Sequence, residues 1–222
     1  METKSQESRT LSNSWYAKAA TFVGAGSVIG AAIPDADAAV VSWPASGLTT
    51  TNSQNFLYFD FDTGNSVLSG STAFGGYDFV LSRNAVAPNV FAQLRFAPGV
   101  SAQAMGTFTA GYAYPSRLAN GAPIGPAGSF FVSGSGNFMT LAATPEATYP
   151  RGNWDGANVG TPGIVGLRIG TPGSYNYAWV EVTVAADMHM TLGRFVIETT
   201  LNKPINVGTV PEVNSLALPA GN

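Results

Sequence analysis

The sequence predicts an all-β fold, an antiparallel β-sandwich of jelly-roll type. Its 26 Gly, 14 Pro and 13 Phe favour many short strands separated by turns, because Gly and Pro interrupt helices while aromatic residues suit pleated surfaces. Charged residues make up only 10% of the chain, against roughly 25% in ordinary soluble domains. The 222 residues are enough for one domain with one core. We expect this domain to span residues 39–205, between a signal peptide at 1–38 and a flexible tail at 206–222.

About nine segments have the aromatic or alternating apolar pattern of strands. In the segment 105–114, Phe108, Ala110, Tyr112 and Tyr114 recur at a spacing of two, which predicts one core-facing side. Glycines at 134 and 136 predict a hairpin between the segments 129–132 and 137–142. The predicted strands are 56–61, 77–82, 89–96, 105–114, 129–132, 137–142, 164–169, 175–184 and 192–200.

A short repeat brackets one of these strands. Residues 159–163 read Val-Gly-Thr-Pro-Gly, and residues 169–173 read Ile-Gly-Thr-Pro-Gly. Pro-Gly at the centre of a turn predicts type II geometry at both places. In the following strand, 175–184, the small and branched residues at even positions form one apolar face, while the face at odd positions is mixed.

The N-terminal region has the features of a secretory signal peptide. A polar lead is followed by a small-residue apolar run at 19–33, which is shorter than the roughly 20 residues that a membrane span needs. Ala36-Asp37-Ala38 then matches the pattern that signal peptidase recognises, with cleavage between Ala38 and Ala39. The alternative is a buried Gly/Ala helix of the mature fold. We expect export through the Sec pathway.

The C-terminal fifth carries three further segments in a fixed order. They are Tyr177–Val180, then Phe195–Ile205 with its Glu-Thr-Thr core, and then Val210, Pro211 and Glu212. A fourth segment, Ser215–Leu218, follows them. This order resembles the closing region of exported bacterial proteins that carry a PEP-CTERM sorting signal. The resemblance implies delivery to the cell surface and implies no particular chemistry.

The sorting signal departs from that family at its end. Val213 stands where the family has a second Pro, and the residues from there to Asn222 lack an apolar helix and a basic cluster. We therefore expect a truncated or degenerate signal, no stable membrane span in the mature chain, and release in soluble form.

Charge and cysteine content restrict the partners. The formal net charge is −3 with no run of Lys or Arg, so we expect no nucleic acid partner. With no Cys, the chain has no disulfides and no thiolate metal site. Extracellular polysaccharide or other matrix proteins are the partners that an exported, charge-poor sandwich predicts.

One acidic group is a candidate calcium site. Asp60 and Asp62 are two residues apart in an Asp-Phe-Asp-Thr-Gly-Asn turn, and Asp78 follows downstream. Ca²⁺ takes oxygen ligands from closely spaced carboxylates, which makes calcium the one candidate cofactor. The alternative is that these residues are solvated turn acids.

A second candidate site is the Gly/Pro-rich segment 144–163. An aromatic residue beside amides and carboxylates suits a sugar, which offers an apolar face and polar hydroxyls. A buried Trp with turn-forming Asn and Asp is the alternative explanation. The candidate carbohydrate-binding residues are Tyr149, Asn153, Trp154, Asp155 and Asn158.

Catalysis is the least favoured function. The single His, His189, stands beside Asp187, and no nucleophile-elbow motif accompanies it. A glycosidase pair drawn from the acids needs a carboxylate separation that a sequence does not give. We therefore expect a non-catalytic structural or adhesive protein of the cell surface or extracellular matrix, with a lectin-like carbohydrate-binding module that uses the 149–158 loop as the alternative.

Overall fold

The computed structural model describes residues 40–71, 76–86, 88–109, 111–131, 138–144 and 152–208. Within these residues the fold is a β-sandwich, and the all-β prediction is confirmed. The signal peptide with its cleavage site at Ala38 and Ala39 lies outside the described residues, as does the sorting motif Val210, Pro211 and Glu212. The described residues contain no helix that is long and apolar enough to cross a membrane.

Fourteen strands and one short 3₁₀ helix form the described part of the chain. The first seven strands are β1 Val40–Trp43, β2 Phe56–Phe59, β3 Ser66–Ser69, β4 Phe79–Val86, β5 Asn89–Phe96, β6 Ala102–Thr109 and β7 Tyr112–Pro115. The others are β8 Pro123–Ile124, β9 Phe130–Phe131, β10 Met139–Ala143, β11 Gly163–Thr171, β12 Ser174–Val184, β13 Met190–Glu198 and β14 Ile205–Asn206. The 3₁₀ helix, Gly156–Asn158, precedes β11.

One hydrogen-bonded sheet curls over to form both layers of the sandwich, in the order β1-β13-β12-β11-β6-β7-β10-β5-β4-β2-β3. Strand β6 belongs to both layers. Its first half pairs with β11, with Ala104 opposite Leu167, and its second half pairs with β7, with Gly106 opposite Pro115. The pairings are antiparallel except for β7 with β10, which are parallel at Ala113 and Met139.

The core lies between the layers and is rich in aromatic residues. Phe195 of β13 lies 5.1 Å from Phe59 of β2 and 5.2 Å from Phe61, measured between ring centroids. Such ring pairs add about 0.5–1.5 kcal/mol beyond the apolar area that they bury. From β12, the predicted inward residues Ala178, Val180, Val182 and Val184 are all fully buried here, which confirms the alternation read from the sequence.

The outer face of β12 is also covered. Tyr177 and Trp179 point away from the main core and pack in a second cluster with Ile124, Ile205 and Val207. Strands β8 and β14, which pair with each other, bring these last residues onto the layer. The fold therefore extends to at least Val207, two residues beyond the predicted domain end at 205.

Of the three predicted turns, the second Pro-Gly turn forms as predicted, whereas the first Pro-Gly turn and the hairpin across 133–136 do not. At the second Pro-Gly, Thr171 pairs with Ser174 across the turn and Gly173 has φ +87°, the value that type II geometry needs. At the first, Gly163 is instead the opening residue of β11, opposite Val182. The hairpin predicted between 129–132 and 137–142 is wrong, because β9 pairs with β6 and β10 pairs with β5 and β7.

The predicted strand 105–114 is in fact two strands. Strand β6 ends at Thr109 and β7 begins at Tyr112, with Gly111 at φ +85° between them. This turn places Phe108 and Tyr112 near the end of a hairpin rather than on one core-facing side. Phe108 is 61% exposed and Tyr112 is 39% exposed, so the expectation that they belong to the core is wrong.

Candidate functional site

Trp154 is a core residue and not a sugar-stacking platform. Its side chain is 0% exposed, and its indole Nε1 donates a hydrogen bond to the Val182 carbonyl oxygen at 3.0 Å. Its backbone N–H donates to the Leu141 carbonyl oxygen at 3.0 Å. A ring with no exposed face cannot stack on a sugar, so this part of the carbohydrate-site prediction is corrected.

The neighbouring residues hold this loop in place. Asn153 donates from Nδ2 to the Pro115 carbonyl oxygen at 2.6 Å, and Asn158 donates from Nδ2 to the Asn153 carbonyl oxygen at 3.0 Å. Asp155 precedes the 3₁₀ helix, and its carbonyl accepts the Asn158 N–H at 3.2 Å. Gly152 has φ +85°, and a Cβ there would overlap the Leu141 carbonyl. The structure thus brings Asn153, Trp154, Asp155 and Asn158 together as an anchored turn, while Tyr149 lies outside the described residues.

Two of the three aspartates of the calcium prediction, Asp60 and Asp78, accept backbone hydrogen bonds, and Asp62 donates its backbone N–H to Asp60. Asp60 Oδ1 accepts from the N–H groups of Asp62, at 2.7 Å, and Thr63, at 3.2 Å. Asp78 Oδ2 accepts from the Phe61 N–H at 2.6 Å. Nowhere in the described ranges do three or more His, Cys, Asp or Glu side chains form a group that could hold a metal ion. Calcium binding stays a prediction, and the observed contacts are those of an Asx turn and a strand end.

His189 and Asp187 form a close pair in the turn between β12 and β13. His189 Nδ1 lies 2.7 Å from Asp187 Oδ2, and Arg83 Nε donates to the Asp187 carbonyl oxygen at 2.9 Å. Burial acts to raise the pKa of Asp187, but hydrogen bonds from the His189 backbone and ring outweigh it and lower the pKa. These contacts fix the turn in which Met188 adopts φ +66°.

Sequence reasoning missed an exposed aromatic surface. Phe108 and Phe131 stack with ring centroids 6.5 Å apart and an interplanar angle of 27°. Tyr112 lies on the neighbouring strand, opposite Thr109, so its side chain is on the other face of the hairpin from Phe108. We call Phe108 and Phe131 the aromatic tip. The Ala110-Gly111 pair between Phe108 and Tyr112 is the signal that could have revealed it, because Gly in a strand pattern often marks a turn.

Comparison with known proteins returned no match. No family model matches the chain, and neither a curated protein nor a solved structure matches it.

Proposed function

We propose that the chain is an exported, non-catalytic protein of a bacterial cell surface or extracellular matrix, with a structural or adhesive role. Its partners are extracellular polysaccharide or other matrix proteins. The signal-like residues 1–38 and the resemblance of the C-terminal region to sorted surface proteins support the destination. The aromatic tip carries the adhesive part of the proposal.

When a partner covers an aromatic ring at the surface, the burial of apolar area stabilises the complex. Phe108 is the most exposed of the large hydrophobic residues in the part of the chain that the structure describes. Covering such a side chain contributes about 1.5–3 kcal/mol, and Phe131 beside it widens the apolar surface. Stacked rings of this kind accept the apolar side of a sugar or the apolar side chains of another protein.

Because the chain has few charged residues, adhesion through the aromatic tip should depend little on salt concentration. Contacts made by the Phe rings of the aromatic tip do not depend on ion pairs, and only 10% of the residues of the chain are charged. At 1 M ionic strength the Debye length is about 3 Å, so interactions between exposed charges are largely screened beyond that distance. Apolar contacts are not weakened by this screening. Adhesion through the aromatic tip should therefore survive a high-salt wash.

Adsorption to matrix material tests the proposal. The probe is a bead coated with the extracellular polysaccharide or matrix protein of the producing cells. We expect Phe108→Ser to lower the affinity of the purified chain for these beads about tenfold. A tenfold change corresponds to roughly 1.4 kcal/mol of binding free energy. Val86→Ser is the matched control, because Val86 is 56% exposed and lies outside the aromatic tip. Equal adsorption of the Phe108→Ser variant and the unaltered chain, before and after the salt wash, would rule out the aromatic tip as the adhesive surface.

The alternative function is a carbohydrate-binding module. The stacked pair Phe108 and Phe131 favours it, since two neighbouring rings can accept successive sugar units. This alternative differs from general adhesion in being selective. A glycan array would separate the two, because a lectin-like module binds a few related glycans saturably, whereas an adhesive surface binds many polymers with similar strength.

A further inference from the structure

A groove with a volume of about 580 Å³ lies against the outer face of β11, β12 and β13. Its floor crosses all three strands, since Ile164 of β11 is opposite Glu181 of β12 and Arg194 comes from β13. The segment Arg117–Asn120 contributes to its wall. The groove shares no residue with the aromatic tip, so its function is independent of the adhesive role proposed above.

The C-terminal end of the described chain lies at this groove. Val207 and Gly208, the last two described residues, both line it. Two backbone hydrogen bonds of 2.9 Å hold Val207 against the segment 121–122. A Cβ on Gly208 would overlap the side chain of Asn120, so this residue also packs closely on the wall. Residues 209–222 therefore continue from the wall of the groove.

The N-terminal end of the described chain lies farther away. Val40 pairs with Glu198 and Trp43 pairs with Phe195, so β1 runs towards the Arg194 end of β13 as the chain proceeds. Val40 is consequently at the end of β1 that is remote from the groove. Of the two ends of the described chain, the C-terminal one is therefore the better placed to supply a segment that fills it.

The sequence that follows Gly208 suits an extended bound segment. Residues 209–213 read Thr-Val-Pro-Glu-Val. Pro211 has a fixed φ and disfavours the helical conformation at Val210, so less conformational entropy is lost when the segment binds in extended form. Alternate side chains of an extended segment point to opposite sides, which places Pro211 and Val213 on one side and Glu212 on the other. An apolar side can thus face the groove while the carboxylate stays in water.

The lining of the groove matches such a segment. Leu118 and Ile164 are half-buried and supply apolar surface. Glu181 and Arg194 are half-buried and opposite in sign, so together they favour no net charge, but they can accept from main-chain N–H groups and donate to main-chain carbonyls. Five extended residues span about 16 Å, which is enough to cross three strands spaced about 4.8 Å apart.

We infer that residues 209–213 bind in this groove of their own chain as an extended segment, with Pro211 and Val213 against Leu118 and Ile164. For these five residues the inference replaces the expectation of a flexible tail. Binding shields the Val-Pro-Glu motif, so it limits the access of proteases and other proteins to Glu212.

Cleavage of the purified full chain after Glu212 by a glutamate-specific protease tests this inference. A protease acts on the segment only while it is out of the groove, so the rate reports the unbound population. Ala119 is exposed on the wall, and Ala119→Trp should displace the segment without disturbing the core. We expect this variant to be cleaved at least about tenfold faster than the unaltered chain, which corresponds to roughly 1.4 kcal/mol or more of binding free energy.

Ala85→Trp is the matched control, because Ala85 is an exposed residue of β4 that does not line the groove. This variant should be cleaved after Glu212 at the rate of the unaltered chain. Equal cleavage rates for Ala119→Trp and Ala85→Trp, with melting curves that match the unaltered chain, would overturn the inference.

Backbone order parameters from NMR relaxation give a second measurement on the full chain. We expect values of about 0.8 at Val210 and Val213, close to those of rigid backbone, and below about 0.6 at Asn222. Values below about 0.6 at both valines contradict binding in the groove. Order parameters at these valines that fall on tenfold dilution identify the tail of a second copy as the occupant, which contradicts binding within one chain.

Discussion

Replacing Trp154 by Ala is expected to lower the free energy of unfolding by about 3–5 kcal/mol, the usual cost of removing a buried Trp or Phe side chain. The ring is fully buried in the main core, and its Nε1 is bonded to the Val182 carbonyl oxygen. The substitution therefore leaves a large cavity and removes a donor from a buried carbonyl. Urea unfolding measures the effect as a lower transition midpoint.

Trp154→Phe is the matched control for this prediction. Phe refills most of the volume but cannot donate to Val182, so the loss should be about 1–3 kcal/mol, the cost of an unsatisfied buried group. A sugar-stacking Trp would behave in the opposite way, with stability preserved and binding lost. Unaltered unfolding of the Trp154→Ala variant would contradict the core position of this ring.

The second large effect is expected at Gly106, where β6 passes from one layer to the other. A Cβ on this residue would overlap the Tyr114 carbonyl oxygen and lie 2.9 Å from Pro115 Cα. Both are backbone atoms, so no side-chain rotation relieves the contact. We expect Gly106→Ala to lower the free energy of unfolding by at least about 2 kcal/mol, as overpacking of a close contact does.

Thr107→Ala is the control for Gly106→Ala. Thr107 is the next residue of β6 and is exposed, so its truncation should change the free energy of unfolding by no more than about 0.5 kcal/mol. Similar urea midpoints for the two variants would mean that β6 and β7 do not approach each other closely at Gly106.

Local patterns in the sequence predicted the features that depend on neighbouring residues. The alternation in 175–184 correctly assigned the inward face of β12, because side chains on a strand alternate whatever the partner strand is. Pro172 and Gly173 likewise determined their turn through their own φ preferences. Strand β3, Ser66–Ser69, was not predicted, because its short Ser-Val-Leu-Ser sequence lacks an alternating apolar pattern.

Features that depend on distant residues were not predictable in this way. The position of Trp154 follows from contacts with Leu141 and Val182, and the division of β6 between two layers follows from its partners rather than from its own residues. Arg117, Glu181 and Arg194 line one groove, which forms only when the segment after β7 lies beside β12 and β13. Of the candidate sites, only the aromatic tip left a local sign, the Ala110-Gly111 pair in the sequence.

Fractionation of producing cells, with N-terminal sequencing of the recovered chain, tests the proposed export to the cell surface. We expect a chain that begins at Ala39 and is found in the surface or matrix fraction. The Phe108→Ser variant should move from that fraction into the medium, while Val86→Ser should not. Recovery of the chain in the cytoplasm with Met1 retained would contradict export and, with it, the proposed role at the surface.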